Sequence, residues 1–235
     1  SCLVGSEMCI RDRFNDDHFV VMATEKGIVK KTKLSAYSNP RKKGIYAVEI
    51  RDGDKLIEAR VSTGDNDILL GTRNGKSIRF SEEQIRPSGR KTMGVKGITL
   101  SSEDDRLVGM LLIKREGTTV LVATEKGFGK RTEISQYRAQ KRGGKGVLTM
   151  KTTDKVGKMV TIKEVVDKDD LMIITNQGVL IRQPVSQIRA IGRATQGVKL
   201  IKLGEGTLVS SITRIMSEED SGDENNSTEP KGNTE

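Results

Sequence analysis

The chain has 235 residues, 34% of them hydrophobic and 31% charged, with a net charge of +9 and no Trp. That is enough apolar material for a buried core, which excludes a disordered chain, and with only 3% aromatic residues the core must be built mainly of Val, Ile and Leu. No stretch approaches the roughly 18 apolar residues of a membrane span and nothing resembles a cleavable signal peptide, so the chain reads as soluble and cytoplasmic, with no membrane partner.

Both cysteines, Cys2 and Cys9, fall in the opening SCLVGSEMCIRDR. That segment resembles a translated sequencing-adapter read, and residues 1–13 are set aside as a non-native leader. Without them no thiol is left for a catalyst, a zinc site or a disulfide framework.

The first strand-like run, residues 19–23, leads into Glu25-Lys26-Gly27, and the five letters ATEKG at Ala23 to Gly27 return at Ala123 to Gly127. The echo stays in phase: Lys30, Lys31, Thr32, Ser35 and Tyr37 are answered by Lys130, Arg131, Thr132, Ser135 and Tyr137. Gly27, Gly75, Gly127 and Gly178 each follow one β-type run and precede another, at spacings of 48, 52 and 51 residues. A second ladder, Gly followed by Ile or Val, falls at Gly44, Gly94, Gly146 and Gly197 and keeps the same period. A repeat of about 40 to 50 residues suits a propeller blade or a helical-repeat pair. Short apolar runs at 68–70, 120–123 and 171–175, bounded by Gly, Asn or Asp, decide for strands. After each run, Glu-Lys-Gly, Arg-Asn-Gly or Asn-Gln-Gly supplies a hairpin turn. Two further β-type stretches follow the second marker, for example 45–50 and 55–61. Four strands per unit give an all-β, propeller-like array of four blades, at 14–64, 65–117, 118–169 and 170–216, with a disordered acidic tail at 217–235.

Between hairpin and second marker each unit carries a polar connection, 35–43, 81–93, 135–145 and 186–196, rich in Lys and Arg. Four residues after the first glycine the residue is always basic: Lys31, Arg79, Arg131 and Arg182. Together with the loop cations Arg41, Lys42, Lys43, Arg90, Lys91, Lys141, Arg142, Lys145, Arg189 and Arg193, this series forms or flanks one continuous track. The alternative for the in-phase position is an inward side chain paired with an acid of a neighbouring blade. From Ser217 onward seven acids face one Lys, so that −6 of charge sits in the tail and +15 in the repeats. A body so basic beside an acidic tail points to a polyanion partner for which the tail can compete.

Catalytic patterns are absent. His18 has no nucleophile pattern near it, and GTRNGKS at 71–77 is one residue short of a phosphate-binding loop and falls on a hairpin turn. Asp104-Asp105 and Asp169-Asp170 lie at turns, where Asp caps local backbone. Tyr37 and Tyr137 share one repeat position, which marks packing.

In the third repeat Gln140, Lys141, Arg142, Gly143, Gly144, Lys145 and Gly146 spell QKRGGKG, which resembles the heptapeptide box of the gyrase-A family of type II DNA topoisomerases. ATEKG, GIVKKT and QGV also resemble that family's C-terminal domain, so the likeness covers about residues 15–216. It implies a β-pinwheel that wraps double-stranded DNA on its basic rim and supports ATP-driven negative supercoiling by DNA gyrase. It also implies a cleavage core and the gyrase-B protein as partners, with ATP and Mg²⁺ acting elsewhere and no cofactor or catalytic residue in this chain. The family's domain usually has six blades with its box in the first, whereas here four are counted and the heptapeptide falls in the third. The rival readings are the related C-terminal domain of topoisomerase IV and a protein-interaction propeller with a basic face. On the residues alone, three glycines let backbone approach a phosphate, and Lys141, Arg142 and Lys145 supply charge that grips the backbone without reading bases. The scarcity of aromatic rings favours duplex over single-stranded DNA.

Overall fold

Every repeat opens with the same hairpin: β1 (Phe19–Thr24) with β2 (Ile28–Lys33), β4 (Asp67–Thr72) with β5 (Lys76–Ser81), β8 (Thr119–Thr124) with β9 (Phe128–Glu133), and β12 (Asp170–Thr175) with β13 (Leu180–Pro184). The computed structural model describes residue 14, residues 16–113 and residues 117–215. The leader and the acidic tail read from the sequence lie outside the described residues. Each hairpin turns on a Gly amide donating to a Thr carbonyl three residues earlier, as in Gly27 to Thr24 at 3.0 Å and Gly127 to Thr124 at 3.0 Å. The glycines have φ of +77 to +85° there, which an L side chain resists. GTRNGKS is one of these turns, with Gly75 closing on Thr72.

A third strand flanks the first member of each hairpin: β3 (Leu56–Ser62), β7 (Leu107–Ile113), β11 (Met159–Val165) and β15 (Val209–Ile215). These are the innermost strands. β7 packs against β3 and β11, β11 packs against β15, and Arg60, Leu111, Lys163, Glu164 and Arg214 line a cavity between them.

The fourth strand is where the structure departs from the expected blade. Residues 45–50 form no strand, and the strand after each later marker is only two residues long: β6 (Val95–Lys96), β10 (Val147–Leu148) and β14 (Val198–Lys199). Each joins the preceding repeat, giving sheet orders β3-β1-β2-β6, β10-β5-β4-β7 and β11-β8-β9-β14. The last sheet has three strands, β13-β12-β15. A blade is therefore completed by its successor, which stitches neighbours together through backbone hydrogen bonds as well as side chains.

The cores lie between blades. Ile68 and Leu70 pack with Val21, Ala23 and Val29 of the first blade, whereas Leu69, between them on β4, packs with Val120, Val122 and Ile162 of the third. Alternation along a strand sends successive side chains to opposite faces, so a middle blade buries both. β8 is buried at all six positions for this reason. β12, in the fourth repeat, alternates between buried and half-buried residues because one of its faces has no neighbour among the described residues.

Candidate nucleic-acid interface

Because the inner strands face the centre and the two-residue strands lie outermost, the polar connections occupy the periphery. In the last three repeats the connection leaves its own hairpin through a 3-10 turn, crosses to the preceding blade and ends as that blade's fourth strand. Three backbone bonds fix the crossings: Ser88 N to Lys31 O at 2.9 Å, Gln140 N to Arg79 O at 2.8 Å and Ile191 N to Arg131 O at 2.9 Å. The marker glycines are required there. A Cβ on Gly94, Gly146 or Gly197 would lie 2.4–2.5 Å from a carbonyl oxygen of the preceding hairpin.

The in-phase basic series points into this framework. Lys31 is buried, 3.0 Å from the fully buried Glu82, donates to Gly64 O at 3.0 Å and sits 4.2 Å from the Phe19 ring centroid. Arg79 pairs with Asp67 at 2.6 Å and donates to the carbonyls of Ile134 and Tyr137. Arg131 is buried, pairs with Asp167 and donates to Ile188 O at 2.6 Å. Arg182, more exposed, pairs with Asp170 at 2.5 Å. Each charge is answered by a carboxylate, and Arg79 and Arg131 strap the next repeat's connection onto their own blade.

The connections divide in turn. Arg41, Lys42 and Lys43 in the first, Lys91 in the second, Lys141 and Lys145 in the third and Arg189 in the fourth are exposed and make no ion pair or side-chain hydrogen bond among the described residues. Arg90 is half-buried, and its carbonyl accepts from Lys30 Nζ. Arg142 and Arg193 act as equivalent straps. Arg142 donates to Lys96 O at 2.6 Å and Gln84 O at 3.3 Å, and Arg193 donates to Leu148 O at 2.7 Å with its guanidinium 6.0 Å from the Tyr137 ring centroid. The heptapeptide is thus half structural. Gly143 N donates to Gly97 O at 2.8 Å, Thr99 N donates to Gly144 O at 2.9 Å, and Gly146 supplies the close approach at the junction. Lys141 and Lys145 are left facing solvent, with Gln140 half-buried beneath them.

Four cations escaped the sequence reading. Arg86 and Arg138, exposed and unpaired among the described residues, stand where Arg189 does, directly after Ile85, Tyr137 and Ile188. That apolar-Arg step after the 3-10 turn was visible in the sequence and would have found them. Lys96 and Lys199 are the exposed second residues of β6 and β14.

Two buried lysines hold connections in place. Lys130 is fully buried, with Nζ donating to the carbonyls of Gly192 at 2.7 Å, Arg193 and Thr195, and to Thr195 Oγ1 at 3.1 Å. Burial, aided by the nearby Arg193 charge, pushes its ammonium down to about 8. Lys30 is equivalent, donating to Ala47 O at 3.0 Å and to Arg90 O, and burial lowers its pKa too. Burial also pushes the Tyr137 phenol up to about 12, so it stays neutral and serves packing. Asp105 caps its turn, accepting from Asn74 N, Ser101 N and Arg106 N. Among the described residues no three His, Cys, Asp or Glu side chains converge as a metal site, and no helix is long and apolar enough to cross a membrane.

The model of the DNA gyrase C-terminal domain, a beta-propeller, matches residues 18–63, 66–114, 118–165 and 169–215. The DNA gyrase A protein of Staphylococcus epidermidis is 44% identical over 218 residues, 92% of this chain and 24% of that protein. Its counterpart in Staphylococcus aureus is 42% identical over 233 residues, 99% of this chain and 26% of that protein. The chain therefore spans about a quarter of the length of the curated relatives it matches. Among solved structures, the C-terminal domain of DNA topoisomerase IV superposes with a TM-score of 0.82 at 24% identity, covering 87% of this chain and 64% of that one. The DNA gyrase A C-terminal domain superposes with a TM-score of 0.77 at 23% identity, covering 86% and 67%. At such identities the two superpositions speak to the fold alone.

Proposed function

The chain belongs to the DNA gyrase C-terminal beta-propeller family, and from that premise we propose that it bends and wraps duplex DNA along its outer rim, as part of a gyrase A protein. The observation that carries the reading is the recurrence of exposed Lys and Arg, unpaired among the described residues, on the peripheral connection of every repeat, against a hairpin series in which each charge is paired with a carboxylate. The proposed contacts are Arg41, Lys42, Lys43, Arg86, Lys91, Arg138, Lys141, Lys145 and Arg189, with the straps Arg142 and Arg193 and the hairpin residues Lys31, Arg79 and Arg131 holding the loops that carry them.

These cations grip phosphates and carry no sequence code. If each blade neutralises about two phosphates, roughly eight counterions leave, and affinity falls by about 10³ to 10⁵ between 50 and 200 mM salt. Bending a duplex of 20–30 base pairs costs on the order of 1–6 kcal/mol, offset only by contacts repeated along an arc, which a series of like blades supplies. In the longer protein a cleavage core and an ATP-hydrolysing partner would use the wrap to set the sign of a DNA crossing; this chain itself takes no cofactor. Identities of 42–44% to gyrase A proteins favour this reading over the topoisomerase IV one.

Religation of a nicked circular duplex tests the wrap. With the protein bound, the religated circles should shift in linking number, and the shift should shrink when Arg138, Lys141 and Lys145 are replaced by Ala. Circles unchanged by the unsubstituted protein under low salt would refute wrapping.

A further inference from the structure

Three connections cross onto a preceding blade, and two of them are held there by a buried cation. The residue three after the hairpin glycine is Lys30 in the first repeat and Lys130 in the third. Lys30 Nζ holds the second connection through Arg90 O, and Lys130 Nζ holds the fourth through Gly192 O at 2.7 Å and Arg193 O. In the second repeat that position is the fully buried Ile78, so no lysine stands in the equivalent place under the third connection, the one that carries the heptapeptide. The turn of this connection differs too. Five and two residues before the marker glycine the second and fourth connections have Gly and Thr. The Thr hydroxyl closes the turn, Thr92 Oγ1 donating to Gly89 O and Thr195 Oγ1 to Gly192 O, both at 2.9 Å. In the third connection those positions are Lys141 and Gly144. A cation stands where the counterparts have glycine, and there is no hydroxyl with which the turn could close itself.

Two neutral side chains from outside the heptapeptide take over both tasks. Gln84, at the end of the second repeat's 3-10 turn, lays its carboxamide along the chain on either side of Lys141. Its Oε1 accepts from Arg142 N at 2.8 Å, and its Nε2 donates to Gln140 O at 3.4 Å. A carboxamide carries both a donor and an acceptor, so like a peptide group it fixes the backbone before and after Lys141 and leaves that side chain free. Thr99, just past β6, closes the other side. Its Oγ1 donates to Gly143 O at 2.7 Å and its N to Gly144 O at 2.9 Å. The backbone half of this link recurs between the other connections, from Glu49 N to Thr92 O and from Lys151 N to Thr195 O, both at 3.1 Å, but Glu49 and Lys151 have no hydroxyl to add. Beneath the turn lies Ile78, whose Cδ1 is 3.4 Å from where a Cβ on Gly144 would stand.

We propose that Gln84 and Thr99 are positioning residues for duplex binding, holding the heptapeptide turn so that Lys141 presents its ammonium to a backbone phosphate. The proposal rests on the wrapping reading and adds to it two uncharged residues that lie outside the heptapeptide. Their contribution is order. A loop already fixed in the free protein loses less freedom when the phosphate arrives, so more of the ion-pair attraction appears as affinity.

The test is a double-mutant cycle on the full chain, with duplex affinity measured at one low salt concentration. Gln84→Ala and Thr99→Val should each weaken binding by about 3- to 10-fold, the scale of ordering a long side chain and its loop. In a chain already carrying Lys141→Ala, neither should weaken it further. Amide exchange without DNA should quicken at Arg142 in Gln84→Ala and stay as in the parent through the β4–β5 hairpin. Unchanged exchange at Arg142 would overturn the clamp. Undiminished affinity in a single variant, or the same loss with Lys141 already removed, would overturn the role of that residue. A parent that does not bind duplex, or that binds as well after Lys141→Ala, would refute the underlying reading and the proposal with it.

Discussion

Lys31 and Lys43 belong to the same repeat and carry the same charge, yet one is walled in by Glu82, Gly64 O and the Phe19 ring while the other stands in solvent without a partner among the described residues. The difference lies in what the backbone places around them. On β2 a side chain must point to one of two faces, and the face given to Lys31 is already lined by the second blade. On the connection at the periphery no neighbour among the described residues answers Lys43. Basic residues in a fixed phase along this chain are therefore of two kinds, one that builds the array and one left free for a polyanion, and periodicity alone does not separate them.

The sharpest way to separate them is to remove a buried partner. Glu82→Ala should leave Lys31 buried without its counter-charge and cost about 3–5 kcal/mol in urea unfolding. The same substitution should leave the salt dependence of DNA binding unchanged. If Glu82→Ala unfolds like the parent, Lys31 is not held by that pair. A second contrast sets Gly146 against Gly44, where a Cβ would meet nothing within 4 Å among the described residues. At Gly146 an added methyl meets Ser77 O at 2.4 Å in a left-handed backbone, so Gly146→Ala should lose roughly 2–4 kcal/mol, from strain and overpacking together. At Gly44 only the backbone strain remains, about 1–2 kcal/mol, and chemical denaturation of the two variants side by side measures the difference.

Lys130 tests the clamp. Its folded pKa of about 8 lies below the ordinary 10.5, so between those values the unfolded chain binds more protons than the folded one. Stability from this group must therefore rise as pH climbs through that window, the burial penalty being fully present below about 8 and relieved towards 10.5. Lys130→Met should flatten that part of the pH–stability profile. A profile that keeps its slope would assign it to other groups.

Much of the array was legible because its signals are local. Four hairpin glycines and four marker glycines kept one period, and the apolar runs before the first set are the central strands β1, β4, β8 and β12. The exchange of the fourth strand was not legible. A strand of two residues such as Val147–Leu148 carries no alternation to read, and its partner Lys76–Ser77 lies in another repeat. The acids that claim the in-phase cations were hidden differently. Asp67 and Asp170 sit on the same hairpin as Arg79 and Arg182, but Glu82 lies in the next repeat and Asp167 in a turn, so no single spacing announces the pairing. Arg86 and Arg138 were missed for a simpler reason: the series was phased on glycines, and these residues are phased on the apolar anchors Ile85 and Tyr137.

The salt dependence of duplex binding tests the central claim most directly. Log affinity against log salt should give a steep line for the parent, with a slope near −0.9 for each phosphate neutralised. The line for a chain with Arg138, Lys141 and Lys145 replaced by Ala should be shallower by about 3, with unfolding free energy changed by no more than about 0.5 kcal/mol. A variant line parallel to the parent's, with stability intact, would contradict the assignment of the peripheral connections as the DNA-bearing surface.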